Sequence, residues 1–481
     1  MISPRKQRIS PEFQAPNVLA RPAAFLAFNK KIADEIGAKL VKVGGSGVRS
    51  GTFHSFAFQT WRGAAPSVRV DGKKMEMLME QHNLPKNLRS FVGVLVSLAK
   101  QNGFGLPDRP GPHETWAYID LADHHDLEDK LYSGFSEPTL RELEMLKETG
   151  IEQAQRFLKL SIELNEQTID FDDMIYAPLY HHARFWENDT VLIDEAQDTN
   201  PVRRIMAERM LKPGGRLIAV GDPRQAIYGF TGADHGALDL IQERFDCTLL
   251  PLTVTYRCPK AVVRLAQRWV SHIQAHESAP EGIVRTIDER TFKETVPDKS
   301  DAILCRNTKP LVELAFNFIK RRIACHVEGR DIGNGLIVLA KRWKSVQTVE
   351  ELSVRLEDYW RSESLRLISS GKDEKVAALQ DKIDTLRIFM DALSADSSIY
   401  DLVRSIESLF QDTDGAEAET ITLSTIHKAK GREWDTVYLY GRNKFMPSPF
   451  AQQPWQIGQE HNLIYVAVTR AKKELVEVYV A

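Results

Sequence analysis

Cysteine is scarce in this sequence. The four cysteines, Cys247, Cys258, Cys305 and Cys325, include no C-x-x-C pair, so the sequence indicates neither a zinc site nor a framework of disulfides. Unpaired cysteines are typical of proteins in a reducing compartment. We therefore expect a cytoplasmic protein.

Long apolar runs are also missing. The longest lies near Phe91–Ala99 and is far too short to cross a bilayer. The N-terminal segment, residues 1–22, is polar, carries Pro4, Pro11 and Pro16, and has no apolar core of the kind found in secretion signals. We expect an irregular lead-in there and no association with a membrane.

Neither sign of charge dominates. Lys and Arg total 63, Asp and Glu total 66, and the net charge is -3. No global basic excess indicates nucleic acid, but a local basic groove would be enough to bind it. The length of 481 residues predicts roughly three domain-sized units, or two large domains with insertions.

One apolar run leads directly into an acidic cluster at Val191–Asp198. The run is typical of a buried parallel strand, whose carboxyl end is where open α/β sheets bind ligands. Asp194 could hold Mg²⁺ there, and Glu195 could orient a water molecule. A strand followed by an acidic helix cap explains the tetrapeptide Asp194–Gln197 equally well.

Other apolar runs predict further strands, which alternate with helical patterns and so favour parallel sheets. The segment Lys42–Gly51 is glycine-rich and predicts a loop, and Leu463–Lys472 predicts the last helix. The other predicted strands are Ala23–Phe28, Arg216–Asp222, Leu249–Thr255, Ala302–Cys305, Thr420–Thr425 and Thr436–Tyr440.

We expect two domains after the lead-in. The first covers residues 23–255 and contains a helical insert at about 62–166. The second covers residues 256–481 and contains a helical insert at about 329–420.

Nine stretches that carry polar or aromatic residues beside these elements occur in a characteristic order. Together they resemble the motifs of superfamily 1 DNA helicases of the UvrD/Rep type, and the resemblance extends from about Leu26 to the C-terminus. The stretches are Leu26–Lys30, Thr52–Phe56, Ile169–Asp173, Val191–Asp198, Val220–Phe230, Thr255–Arg257, Ile303–Arg306, Thr425–Trp434 and Ile464–Ala471.

The resemblance implies an α/β fold of two RecA-like parallel-sheet domains, with ATP and Mg²⁺ between them. Phosphoryl transfer needs positioning and charge stabilisation, which acids and arginines can supply. Taken singly, Arg257 or Arg470 could equally be a surface or ion-pairing arginine. By resemblance, Asp194 binds Mg²⁺, Glu195 is the base for the attacking water and Gln225 contacts the γ-phosphate. Arg257 and Arg470 reach across the cleft by the same resemblance. Tyr256 stacks on adenine and Glu433 meets the ribose.

The resemblance also implies a path for single-stranded DNA. Aromatic rings stack on bases at about 1–3 kcal/mol per base, while hydroxyls and lysines contact phosphates. Core packing is the alternative for Phe28 and Phe230, and Phe230-Thr-Gly replaces the more usual Trp-Arg-Gly. The implied DNA-binding residues are Phe28, Lys30, Thr52, His54, Tyr228, Phe230, Thr425 and His427.

One expected motif is missing. No glycine precedes Gly37, and neither Gly-Lys-Ser nor Gly-Lys-Thr occurs, so the phosphate loop G-x-x-x-x-G-K-[ST] is absent from this sequence. The segment Lys42–Gly47 has glycines but no lysine–hydroxyl pair. We expect the first domain to lack its phosphate-loop strand and Val191–Ile193 to lack a neighbour on one side.

Three explanations for the missing loop stay open: a late start of the chain, a degenerate relative, or residues 1–22 filling the gap. The predicted function is that of an ATP-dependent DNA helicase or translocase, moving 3′ to 5′ on single-stranded and partly duplex DNA with repair or replication proteins as partners. It would lie at a bacterial nucleoid or in a eukaryotic nucleus. The alternative is a DNA-binding module of the same architecture without ATP turnover.

Overall fold

The computed structural model describes residues 22–27, 30–42, 47–125, 127–131, 139–227, 236–369, 373–410, 420–449, 451 and 454–481. The chain divides into two compact units, Met1–Leu249 and Leu250–Ala481, whereas the boundary predicted from the sequence follows residue 255. No helix in these ranges is both long enough and apolar enough to cross a membrane.

The first unit combines a parallel sheet with a large set of helices. Its elements are β1 (Ala23–Ala27), α1 (Lys30–Lys42), β2 (Val48–Thr52), α2 (Phe53–Ala64), β3 (Arg69–Val70), α3 (Lys74–Gln81), α4 (Lys86–Gln101), α5 (Thr115–His124), α6 (Leu140–Glu163), β4 (Thr168–Ile169), α7 (Asp173–Tyr180), β5 (Asn188–Ile193), α8 (Pro201–Arg209), β6 (Leu211–Ala219) and α9 (Ala237–Phe245).

The sheet of the first unit has the order β2-β1-β5-β6, and all its pairings are parallel. Leu192 of β5 pairs with Phe25 on one side and with Ile218 on the other. The prediction that Val191–Ile193 would lack a neighbour on one side is therefore wrong, because β1 occupies that side. The burial predicted for this strand is confirmed, since Val191 and Ile193 are buried.

Strand β6 forms one of the two edges of this sheet among the described residues, and β2 forms the other. Among the described residues, β6 pairs with β5 alone, and most of its side chains are partly exposed. The strand predicted at Arg216–Asp222 is confirmed over Arg216–Ala219 only. It is not deeply buried, and Val220 beyond its end is exposed.

The prediction of a third buried strand at Leu249–Thr255 is wrong. Only β7 (Val254–Thr255) forms there, and Leu249, Leu250 and Leu252 are exposed, the last with 83% of its surface. These residues have strand-like composition, but the described residues provide no sheet neighbour beside Leu249–Leu252.

The predicted loop at Lys42–Gly51 is wrong in its second half, where β2 pairs with β1 from Val48 onward. Gly51 is suited to this strand because a Cβ at that position would lie 2.7 Å from Ser55 Oγ. Residues 43–46 lie outside the described ranges.

The predicted helical insert of the first unit contains α3 to α6, and buried charges connect it to α7. The ammonium of Lys74 lies 2.7 Å from Asp173 Oδ2, and that of Lys100 lies 2.8 Å from Asp173 Oδ1 and 2.6 Å from Asp170. Burial alone would raise the pKa of Asp173, but the charges of Lys100 and Lys74 outweigh it and hold the pKa below its usual value.

The second unit continues with further helices around a larger parallel sheet. Its elements after β7 are α10 (Lys260–Ala266), β8 (Gln274–Ala275), β9 (Ile283–Asp288), α11 (Glu289–Glu294), β10 (Ala302–Cys305), α12 (Thr308–Lys320), β11 (Cys325–Val327), α13 (Arg330–Ala340), α14 (Val349–Ser369), α15 (Asp373–Asp391), α16 (Ile399–Leu409), β12 (Ile421–Thr425), β13 (Trp434–Tyr440), α17 (Arg442–Phe445), α18 (Pro454–Val468) and β14 (Ala471–Tyr479).

The sheet of the second unit has the order β11-β12-β10-β13-β14-β9, again with parallel pairings throughout. The predicted α/β class with two parallel sheets is confirmed. The prediction of a last helix through Lys472 is wrong at its end, because α18 stops at Val468 and Ala471–Tyr479 forms β14. Sheet pairing explains the difference, since β14 lies between β13 and β9.

Helices α13 to α16 form the insert of the second unit. Asp381 of α15 accepts hydrogen bonds from the backbone N–H groups of Thr308 and Lys309, at 2.9 and 3.0 Å. These N–H groups belong to the first turn of α12, which has no partner for them within the helix. The carboxylate thus caps α12 from α15 and connects the two helices.

We expect Asp173→Asn to lower the free energy of unfolding of the first unit by about 3–5 kcal/mol, because two buried lysines would lose their shared anion. Urea unfolding is the measurement. Glu80→Gln is the matched control, since it removes an exposed ion pair with Arg89 that contributes about 0–1 kcal/mol. Equal unfolding midpoints for the two variants would contradict this expectation.

Candidate functional site

The acidic turn after β5, Asp194–Asp198, is held by backbone hydrogen bonds to the segments on both sides of it. The N–H of Asp194 donates to Leu26 O of β1 at 3.0 Å, and the N–H of Val220 donates to Ile193 O at 2.8 Å. Asp194 is half-buried, and burial followed by the charge of Glu195 raises the pKa of Asp194 above its usual value. Two carboxyl groups are therefore brought together at the carboxyl end of the strand.

Glu195 has a left-handed backbone, with φ of 50° and ψ of 44°. A residue other than glycine in this conformation costs about 1–3 kcal/mol and is characteristic of functional sites. The next residues, Ala196–Asp198, form one turn of 3-10 helix. This turn directs the chain away from the sheet directly after the acidic pair.

Gln197 connects the acidic turn to the loop that follows β6. Its side chain is 2% exposed. Its Nε2 donates to Glu195 Oε2, while its Oε1 accepts from the N–H of Asp222 at 3.1 Å. Asp222 Oδ2 in turn accepts from Gln225 Nε2 at 3.0 Å. Three hydrogen bonds thus join Glu195 to Gln225, two of the residues predicted to act in catalysis.

Gly221 permits this connection. A Cβ at residue 221 would lie 2.4 Å from Gln197 Oε1 and 3.1 Å from the backbone nitrogen of Gln197. Any larger side chain would therefore push Gln197 away from Asp222. Gln197 is not among the predicted site residues, although its position two residues after Glu195 is a signal in the sequence.

In the second unit, Tyr256 and Arg257 follow β7. The Tyr256 ring stacks on His276, with ring centroids 4.4 Å apart and 30° between the planes, and 79% of the tyrosine is exposed. Arg257 Nε lies 2.6 Å from Glu433 Oε2. The structure therefore brings Arg257 and Glu433 together as an ion pair and leaves much of Tyr256 accessible.

Arg470 is 1% exposed. Its guanidinium donates to Val466 O at 3.0 Å, to Arg432 O at 3.2 Å and to Thr469 Oγ1 at 3.3 Å. In this structure it braces the end of α18 against the segment that precedes β13.

The described residues among the predicted DNA contacts differ in exposure. Lys30 begins α1 and is exposed, whereas Thr52 caps α2 by accepting from the N–H of Ser55 at 3.1 Å. Thr425 is buried and accepts from the N–H of Lys428 at 3.4 Å. Phe28, Tyr228 and Phe230 lie outside the described residues.

His54 and His427, the two histidines predicted to contact DNA, are uncharged near neutral pH. Burial, followed by the charge of Arg203, lowers the pKa of His54 to about 4. Burial, followed by the charge of Arg306, lowers the pKa of His427 to about 3. These side chains can therefore stack or form hydrogen bonds, but they do not offer a positive charge to phosphate.

Within the described ranges, no group of three or more His, Cys, Asp or Glu side chains could hold a metal ion. The acidic pair Asp194 and Glu195 thus offers fewer than three such side chains. This arrangement suits magnesium bound together with a nucleotide, because phosphate oxygens and water supply the remaining ligands.

The family of this chain follows from its matches to known protein families. Residues 126–481 match the UvrD-like helicase C-terminal domain. The chain belongs to the UvrD-like helicase family. Residues 7–231 match an AAA domain, and the two parallel sheets agree with two RecA-like domains. The predicted family is thus confirmed.

Several curated proteins are similar to this UvrD-like helicase. The ATP-dependent DNA helicase UvrD2 of Mycobacterium tuberculosis is 25% identical over 367 residues, which cover 64% of this chain and 51% of the relative. F-box DNA helicase protein 1 of Schizosaccharomyces pombe is 23% identical over 494 residues, which cover 94% of this chain and 52% of the relative. The chain thus spans about half the length of these relatives.

We expect acid to destabilise the protein partly through His427. Its pKa in the folded chain, about 3, lies below the ordinary value of 6.5, so the unfolded chain takes up the proton first. Stability is therefore lost as the pH falls below 6.5, by about 1 kcal/mol at pH 5.5. Melting temperatures at pH 7.5 and 5.5 should differ less for His427→Gln than for the wild type.

The control for this comparison is His272→Gln, which removes an exposed histidine of the same unit. It should keep the difference seen in the wild type. An unchanged difference in His427→Gln would contradict the expectation.

Proposed function

We propose that this UvrD-like helicase is an ATP-dependent motor that moves 3′ to 5′ on single-stranded DNA and unwinds duplex DNA. The supporting observation is the arrangement at the carboxyl end of the first sheet. Asp194 and Glu195 follow β5 there, and hydrogen bonds continue from Glu195 through Gln197 and Asp222 to Gln225.

The first unit fits the reacting end of a magnesium nucleotide. Asp194 offers a hard oxygen ligand of the kind that Mg²⁺ prefers. A cation there would offset the repulsion from Glu195 that contributes to the raised pKa of Asp194. The glycine, lysine and hydroxyl residues of a phosphate loop are not in this sequence, so the proposal assigns no residue to the other phosphates.

When bound, ATP supplies the phosphoanhydride bond whose hydrolysis powers movement. In our proposal Asp194 holds Mg²⁺, and Gln225 contacts the terminal phosphate. Glu195 accepts a proton from the attacking water on Oε1, because Oε2 is already bonded to Gln197. General bases of this kind contribute about 10²–10⁴-fold to the rate.

In the second unit, His276 covers one face of the Tyr256 ring, and we propose that adenine stacks on the other face. Glu433 would meet the ribose and Arg257 the γ-phosphate, so their ion pair would be exchanged for contacts with the nucleotide. Arg470 would have to release at least one of its hydrogen bonds to Val466, Arg432 and Thr469 to reach a phosphate.

For DNA, we propose phosphate contacts by Lys30, whose side chain is exposed, and polar contacts by Thr52. His54 and His427 would contribute hydrogen bonds or stacking, because their lowered pKa values leave them neutral. We also propose aromatic contacts with DNA by Phe28, Tyr228 and Phe230 and a polar contact by Thr425. The proposal further includes a role in DNA repair and partners among repair or replication proteins. The location would be the cytoplasm, a bacterial nucleoid or a eukaryotic nucleus.

The alternative is a DNA-binding module without ATP turnover. The family alone does not separate the two functions.

The decisive experiment is ATP hydrolysis by this chain with Mg²⁺, with and without single-stranded DNA, at low salt, since phosphate contacts weaken steeply as salt rises. We expect Glu195→Gln to lower the DNA-stimulated rate about 10²–10⁴-fold and to leave DNA affinity unchanged. Fluorescence anisotropy with a labelled oligonucleotide measures that affinity.

Glu187→Gln is the matched control, because it makes the same chemical change at an exposed residue before β5. Turnover that survives in Glu195→Gln would remove Glu195 from the proposed role. DNA binding without turnover in the wild type would establish the alternative, and loss of both would exclude the two functions together.

A further inference from the structure

We propose that Gln197 is a positioning residue that links the carboxylate of Glu195 to the loop carrying Gln225. The link would hold the proposed base and the proposed phosphate contact in one fixed arrangement. The catalytic part of this inference depends on the proposed function, whereas the link itself is a property of the first unit alone.

Gln197 is suited to this role because an amide has both a donor and an acceptor. Its acceptor must face Asp222, whose backbone N–H can only donate. Its donor then faces Glu195 Oε2. Glutamate at this position would place a second anion against Glu195, and an aliphatic residue would leave both groups without this partner.

The backbone around Gln197 is held by other bonds. The N–H of Ala196 donates to Val220 O at 2.9 Å, and the N–H of Asp198 donates to Glu195 O at 2.9 Å. Replacing the Gln197 side chain would therefore leave the acidic turn attached to the β6 loop through its backbone. We therefore expect the substitution to change the orientation of the neighbouring side chains and to leave the turn itself intact.

Losing the Gln197 side chain would affect the orientation of the Glu195 carboxylate most. Gln197 donates to Oε2 of this carboxylate and so restrains it. A carboxylate free to rotate would point Oε1 at the water less often. Displacement of a catalytic group by about 1 Å can reduce a rate about 10²-fold.

The link continues beyond Gln197. Asp222 binds Gln197 through its backbone N–H and Gln225 through Oδ2. The N–H of Gln225 also donates to Asp222 O at 2.8 Å. A shift of Asp222 would therefore move Gln225, so one side chain would influence both ends of the proposed reacting site.

The first test needs no nucleotide. Gln197→Met keeps the side-chain length and removes both hydrogen bonds. In hydrogen–deuterium exchange of the full chain, we expect the Asp222 amide to exchange about 10-fold faster, which corresponds to the loss of one hydrogen bond of about 1.4 kcal/mol. Peptides covering Asn188–Ile193 should exchange as in the wild type, because their amides are bonded within the sheet.

The second test separates positioning from binding. For DNA-stimulated hydrolysis, Gln197→Met should lower kcat about 10–100-fold, while the KM for ATP and the affinity for single-stranded DNA stay within about twofold. Gln242→Met is the control at an exposed glutamine of α9. Gly221→Ala should reproduce the loss of kcat, because its Cβ would displace Gln197 Oε1.

Unchanged exchange at Asp222 in Gln197→Met would overturn the link, and changed exchange with unchanged kcat would overturn the positioning role. If the wild type does not hydrolyse ATP, the proposed function fails and the exchange experiment alone decides the link. If Gln197→Met does not fold, Asp222→Ala breaks the last hydrogen bond at a half-exposed residue. A normal kcat in that variant would overturn the part of the role that reaches Gln225, and a normal kcat in Gly221→Ala would overturn the part that positions Glu195.

Discussion

The position of β5 between two neighbours is the constraint on which the first unit depends. Hydrogen bonds along both edges satisfy its backbone, so its apolar residues can be buried without leaving polar groups unpaired. The ladders continue past the strand, through Asp194 to Leu26 on one side and Val220 to Ile193 on the other. The acidic pair therefore leaves the sheet at a point that is held from both directions.

The same strand order explains where the unit is open. Because β1 lies beside β5, the edges of the sheet among the described residues are β2 and β6, and β6 is the edge next to β5. Its apolar residues are only partly buried, and Leu249 and Leu252 farther along the chain remain exposed. Such residues are normally buried when another strand and its covering helix pack beside them. Exposure here follows from the strand order rather than from the composition of these segments.

Charge is arranged differently in the two units. In the first, Asp194 and Glu195 repel each other in a half-buried turn, which suits a site that receives a cation. In the second, Arg257 is neutralised by Glu433, and Arg470 is bonded to backbone oxygens. A phosphate group would have to compete with these partners, so their contacts influence how readily either arginine becomes available.

The sequence by itself determined the class of fold, the family, and the chemistry of the acidic turn. Those properties depend on patterns along the chain. One is an apolar run that ends in acids, and the other is a set of motifs whose order can be recognised without knowing which residues lie beside them in space. The sequence did not determine strand order, because parallel strands pair with partners that are distant along the chain. Only the tertiary structure therefore placed β1 beside β5, ended α18 before β14, left Leu252 exposed, and brought Gln197 between Glu195 and Asp222.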